Sequence, residues 1–161
     1  MSYVNNGSDI YKESFRIIRE EADLARFPAD VERVVVRMIH AAADPAIAGD
    51  IAFTPGVVEA TRRALASGAN ILCDSSMTAT GIIRSRLPEG VQVVCHIKEP
   101  HLAELAKRND TTKTCAAVDL WAAEDHLDGA VVAIGNAPTA LFHLLEVCEQ
   151  TGARPAAVGG V

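Results

Sequence analysis

Four short apolar runs limit how this chain can fold: ANILCD at 69–74, VQVVCHI at 91–97, AVVAIG at 130–135 and PAAVGGV at 155–161. Their length and their Val, Ile and Leu content suit strands buried on both faces. The stretch from each run to the next is long enough to hold a helix, the connection that parallel strands require. The alternation therefore predicts an α/β chain with a parallel central sheet and helices on both faces. Strands should fall near 69–73, 91–97, 130–135 and 156–160. In such sheets ligands bind beyond the carboxyl ends of the strands, so the turns after Cys73, Ile97 and Ile134 are the places to look for chemistry.

Two helices are expected ahead of the sheet. The first runs from Ser8 to Phe27, capped by Ser8 or Asp9, with Ile10, Ile17, Ile18 and Leu24 at a roughly helical period. Pro28 opens the second, where its missing N–H does no harm. There Val31, Val34, Val35, Met38 and Ala42 share one side, and Asp30, Arg33, Arg37, His40 and Asp44 the other. Further helices are expected over 54–68, 77–87 (weakened by Gly81), 99–108, 111–122 and 137–150. No repeat, linker or low-complexity tract stands out, and 161 residues suit a single domain over 1–161.

The charge balance removes some classes of function. A net charge of -6, with Arg and Lys dispersed among acids, argues against a nucleic-acid partner. No apolar run approaches the roughly 20 residues of a membrane span, so no membrane partner is expected. The opening MSYVNNGSDIYKESF lacks the charged-then-apolar layout of a secretory signal. Cys73, Cys95, Cys115 and Cys148 are widely spaced with no Cys-x-x-Cys pair. They read as reduced, structural thiols in a cytoplasmic protein.

Three places could carry chemistry. His40 lies on the polar stripe of its helix with Arg37 one turn before it. Histidine is the side chain best poised for proton transfer near neutral pH, though the position also suits an ordinary solvated histidine. In IGNAPTALFHLLE (134–146) a strand ends at Gly135-Asn136 and a helix opens with Pro138 in its first turn. Amides there could hold an anionic or carbonyl oxygen, and Gly135 would allow close approach of a ligand; the alternative is a plain strand-to-helix turn. In CDSSMTATGI (73–82), Ser75 and Ser76 either cap the next helix or act as nucleophiles with a base elsewhere. Lys113 stands at the head of another expected helix. His96, His101, His126 and His143 show no mutual spacing that suggests a metal site. Dinucleotide, nucleotide-triphosphate and nucleophile-elbow motifs do not occur.

The wording of the sequence is more specific than its pattern. YKESFRIIREEADLARFP, RMIHAAAD, GANILCDSSMTATGI, RSRLP and AIGNAPTALFHLLE follow one another over about residues 3 to 160. Together they closely resemble the precorrin-8X methylmutase family. The resemblance implies a flavodoxin-like three-layer fold and a homodimer with a corrinoid substrate held at the subunit interface. The implied activity is an isomerase of cobalamin biosynthesis that needs no separate cofactor. It moves a methyl group from C11 to C12 of precorrin-8X, or of its cobalt form, giving hydrogenobyrinic or cobyrinic acid.

By the same resemblance His40, the histidine of RMIH, handles the proton, and Ser14 and Arg37 match substrate contacts. Lys113 stands where many members carry an arginine, which loses bidentate recognition of a carboxylate. Gly135 and Asn136 join these as substrate-binding candidates. A substrate rimmed by carboxylates needs clustered cations, for which Arg37, Lys113, Arg84 and Arg86 are available. His-Ala-Ala-Ala-Asp, where some members have His-Ala-Cys-Gly, is nearer the wording of the cobalt route. Family members continue some tens of residues past Val-Gly-Gly-Val, through a Gly-Phe-Val-Gly…Glu-Ser-Lys block. The chain is thus expected to lack the family's C-terminal segment, and a corrinoid-binding protein without efficient turnover is the alternative reading.

Overall fold

The computed structural model describes residues 5–160. They divide into two compact units, one ending at Val58 and the other beginning at Glu59.

The first unit is a helical pair, α1 (Gly7–Glu21) and α2 (Ala29–Ala42), followed by a 3-10 turn over Pro45–Gly49. Asn6, rather than Ser8 or Asp9, caps α1: its side chain accepts from the Ser8 and Asp9 amides at 2.9 and 3.3 Å. The helix stops at Glu21, short of the expected Phe27. Beyond it Ala22 is extended, and Asp23 Oδ1 accepts the Ala25 amide at 3.3 Å, a local turn that competes with helix. The second helix follows Pro28 as expected. Its inner face carries Val31, Val35, Val36 and Ile39, which form one core with Ile18, Phe27 and Ala48. Val34 and Met38, expected inside, are exposed. Both stripes satisfy a helical period, and the core takes the one that buries Ile39. Ala43 ends α2 in the left-handed region, φ 54, a conformation that favours glycine.

The second unit holds the sheet. Strands β1 (Ile71–Cys73), β2 (Val93–Val94), β3 (Val131–Ala133) and β4 (Ala157–Gly159) lie in the order β2-β1-β3-β4. Every pairing is parallel, with Ile71 beside Val93 and Val131, and Val131 beside Ala157. The helices are α3 (Val57–Ala66), α4 (Ser76–Gly81), α5 (Leu102–Arg108), α6 (Lys113–Ala123) and α7 (Pro138–Thr151). Strand alternation sorts the side chains to two faces. Leu72, Val132 and Ile134 pack with Val118 and Trp121 of α6 and Leu144 of α7. Ile71, Cys73, Val93 and Val131 pack with Leu65 of α3 and Ala79 of α4. Helices therefore cover both faces, as the apolar runs predict. The helix expected over 77–87 ends early, at Gly81, and continues only as a 3-10 turn over Arg84–Arg86.

The strand order is that of flavodoxin-like folds, whose direction of winding reverses between β1 and β3. The carboxyl ends of those two strands, at Cys73 and Ala133, form the switch point of this sheet.

Candidate active site

His40 comes to its position through the packing of α1 on α2. Its ring lies against two aromatic residues of α1, 5.0 Å from Tyr11 and 5.4 Å edge-on from Phe15, centroid to centroid. Its Nδ1 and the Ser14 hydroxyl share a hydrogen bond of 2.7 Å, whose direction follows the imidazole tautomer. Among the described residues no hydrogen bond engages Nε2. The Arg37 guanidinium, one turn earlier on α2, sits 5.4 Å over the Phe15 ring. Ser14, Arg37 and His40 thus share one patch of the helical pair. Ser14 also lines a shallow, mostly apolar hollow of about 320 Å³ with Ile10, Glu13, Ile17 and Ile18. His40 is half-buried rather than fully solvated, because Tyr11 and Phe15 close over it.

In the second unit, Lys113, Gly135 and Asn136 lie at one end. Cys115 Sγ donates to the Thr139 carbonyl at 3.5 Å, which sets the head of α6 beside the first turn of α7. Lys113, Gly135 and Asn136 are all exposed.

Three of the amides at this turn, those of Gly135, Asn136 and Ala137, are already taken. Asp74, at the end of β1, is fully buried and lies across the switch point. Its Oδ1 accepts the Gly135 amide at 3.0 Å, and its Oδ2 accepts those of Asn136 and Ala137 at 2.9 and 2.8 Å. The Thr78 hydroxyl donates to Oδ1 at 3.1 Å. Ala137, the N-cap of α7, supplies no cap of its own, so Asp74 caps α7 from another strand. These amides do hold a carboxylate oxygen, and it belongs to Asp74 of the chain itself. Gly135 does serve a close approach, but the neighbour is Thr78: a Cβ there would lie 2.5 Å from Thr78 Oγ1. Ser75 is a cap, accepting the Thr78 amide at 3.2 Å.

Nor does the Cys73 thiol, at the end of β1, offer a nucleophile here. Burial, then the nearby Cys95 and Asp74, push the Cys73 thiol up to about 12. All four cysteines are unpaired.

His143 on α7 bonds to Asp119 on α6 at 2.6 Å and approaches Glu146 at 3.3 Å. Burial alone would lower its pKa, but the hydrogen bonds and charges of the two carboxylates outweigh it and raise it above 6.5. A histidine whose folded pKa is raised stabilises the fold fully below its unfolded value, about 6.5, and loses that contribution as pH rises through the folded value. His143→Gln is therefore expected to lose most stability below about pH 6.5 and progressively less above it. Urea unfolding across the pH range checks this; a parent-to-variant difference that does not change with pH would contradict it.

The parallel sheet in flavodoxin order, with polar residues gathered at its switch point and a histidine–serine pair on the leading helices, defines an α/β enzyme fold for small-molecule chemistry. The precorrin-8X methylmutase family model matches residues 9–161. A precorrin-8X methylmutase of Pseudomonas aeruginosa is 45% identical over 160 residues, covering 99% of this chain and 76% of the relative. One from Sinorhizobium sp is also 45% identical, covering 99% and 75%. A cobalt-precorrin-8 methylmutase of Leptospira interrogans is 34% identical, covering 98% and 72%. The crystal structure of a precorrin-8X methyl mutase from Thermus thermophilus superposes with a TM-score of 0.83 at 42% identity, covering 94% of this chain and 73% of that one. The chain belongs to the precorrin-8X methylmutase family.

Proposed function

We propose that the chain is the isomerase of cobalamin biosynthesis that moves the methyl group at C11 of precorrin-8X to C12, giving hydrogenobyrinic acid. The single observation that carries the chemistry is the 2.7 Å pairing of Ser14 with His40, inside an aromatic frame and beside Arg37. An isomerisation changes no composition, so any proton lent to the conjugated ring must be recovered within the cycle. An imidazole can give and retake it at neutral pH. Ser14 holds Nδ1, which leaves Nε2 for the substrate. Arg37 clamps a peripheral carboxylate, and in the second unit Lys113, Gly135 and Asn136 are the further candidates for substrate contact.

The metal-free substrate is favoured over its cobalt form. Relatives named for precorrin-8X are 45% identical, whereas those named for cobalt-precorrin-8 stand between 31% and 37%. This outweighs the wording of His-Ala-Ala-Ala-Asp. Those names also favour turnover over a binding-only role. The family match runs through both compact units, so we treat residues 1–161 as one functional domain. Conversion followed by the visible spectrum tests the assignment, because the product has the longer chromophore. An unchanged spectrum with substrate bound would leave only the binding role.

The active form is a homodimer that closes the corrinoid pocket. A hollow of about 320 Å³ beside Ser14 covers only part of a tetrapyrrole with its side chains. Ile10, Val34, Met38, Phe142 and Leu145 are exposed apolar side chains that suit a partner surface. Sedimentation at micromolar concentration is expected to give twice the mass of 17.1 kDa. A monomer that binds substrate with full affinity would contradict it. Among the described residues no helix is long and apolar enough to cross a membrane. Four unpaired thiols suit a reducing compartment, and we place the protein in the cytoplasm.

A further inference from the structure

His96, Glu124 and His126, none of them assigned to the methyl shift, meet in the second unit. His96 follows β2, and Glu124 caps the end of α6. Asp125, at φ 59, turns the chain so that Glu124 and His126 come to the same place. The turn is fixed by backbone bonds from Glu124 to Leu120 and from His126 to Trp121, at 2.9 and 2.8 Å. Glu124 Oε2 lies 3.2 Å from His96 Nε2 and 3.2 Å from His126 Nε2. The three ligand atoms lie within 4.8 Å of one another, and the two rings stack at 6.4 Å.

One of these atoms calls for a partner. His96 is only 9% exposed, and its Nε2 is buried without a hydrogen bond. The Glu124 oxygen lies within reach of it, yet the two atoms make no hydrogen bond. That is the relation of two ligands on one cation. At ligand distances of about 2.0–2.1 Å, tetrahedral geometry sets neighbouring ligand atoms about 3.3 Å apart, with the ion between them and neither atom on the other's axis. A direct hydrogen bond would need the oxygen on the axis. Glu99 Oε1 lies 3.9 Å from His96 Nδ1, beyond hydrogen-bond reach.

We propose that His96, Glu124 and His126 bind one divalent first-row cation, zinc in the first instance. Two imidazoles and a carboxylate suit zinc better than magnesium or calcium, which prefer all-oxygen sites. Three protein ligands leave a fourth position for water. Glu124 and His126 are partly exposed, which gives the ion a way in. The ion ties the segment after β2 to the turn between α6 and β3. Sequence separation hides the site: His96 and His126 lie on different elements and show no motif spacing.

The test uses the untagged full chain, stripped with a chelator and dialysed against zinc alone, with cobalt(II) as a spectroscopic probe. One equivalent of zinc should bind, cobalt should give visible bands without a thiolate charge-transfer band, and zinc should raise the melting temperature. Glu124→Gln and His126→Ala, both at partly exposed positions, should each weaken binding at least about tenfold and abolish the melting shift. His96→Ala serves only if its circular dichroism matches the parent. A parent that binds no zinc at micromolar concentration overturns the proposal. So does equal binding by the Glu124→Gln/His126→Ala double variant, which would place the ion elsewhere, or a strong thiolate band, which would place it on the cysteines.

Discussion

Replacing His40 with Ala is expected to slow methyl migration by about 10²–10⁴-fold while leaving corrinoid affinity within a few-fold of the parent. The imidazole is assigned a task that arises in the transition state, so its loss falls on turnover rather than on binding. His40 is half-buried against Tyr11 and Phe15, so its removal should cost about 1 kcal/mol of stability and leave the fold intact. Ser14→Ala separates positioning from proton transfer. It removes one hydrogen bond to Nδ1, worth about 0.5–1.5 kcal/mol, and should slow turnover by no more than about tenfold. Arg37→Ala removes a charged clamp and should weaken binding by about 10–100-fold at little change in turnover. Single-turnover kinetics with separate binding isotherms measure all three. Parent-like turnover by His40→Ala would return His40 to the role of an ordinary helix residue.

The largest effect on stability is expected at Asp74. One buried carboxylate there satisfies the amides of Gly135, Asn136 and Ala137 and the Thr78 hydroxyl. Asp74→Ala leaves three backbone donors without their acceptor, while the Thr78 hydroxyl keeps Ser75 Oγ at 2.8 Å, and each unsatisfied donor costs about 1–3 kcal/mol. A loss of at least about 3 kcal/mol follows, a large share of the roughly 5–15 kcal/mol that holds a domain folded. The melting temperature should fall by about 10 °C or more. Asp74→Asn keeps one acceptor oxygen but turns an NH₂ group toward backbone N–H groups, so it should recover only part of the loss. Thermal and urea unfolding of the two variants decide the matter. A change below about 1 kcal/mol in Asp74→Ala would mean that water replaces the carboxylate without cost.

These two residues differ in how plainly the sequence announces them. His40 stands in RMIH on a stripe with Arg37, within one helix, and both the period and the family wording lead to it. Asp74 is one acid after a strand, and the amides it serves are 61, 62 and 63 residues further on. No local pattern reports a bond across that distance. The parallel sheet is legible because buried strands must be continuously apolar and spaced by crossovers, and β1 and β3 obey that rule. The facing of α2 is not legible, since Val31-Val34-Met38 and Val31-Val35-Ile39 both satisfy a helical period. Packing against Ile18 and Phe27 chooses between them. The Gly135-Asn136 turn shows the same limit in another form. Free amides at a helix start suggest an anion, and the anion turns out to be the chain's own.

A carbon-13 label reports methyl transfer within one substrate molecule most directly. Precorrin-8X carrying carbon-13 in its C11 methyl group, incubated with stoichiometric enzyme, is followed by NMR. The labelled signal is expected to move from the C11 methyl to the C12 methyl of hydrogenobyrinic acid, quantitatively and without added cofactor. A label that remains at C11 while the corrinoid is fully bound would contradict it.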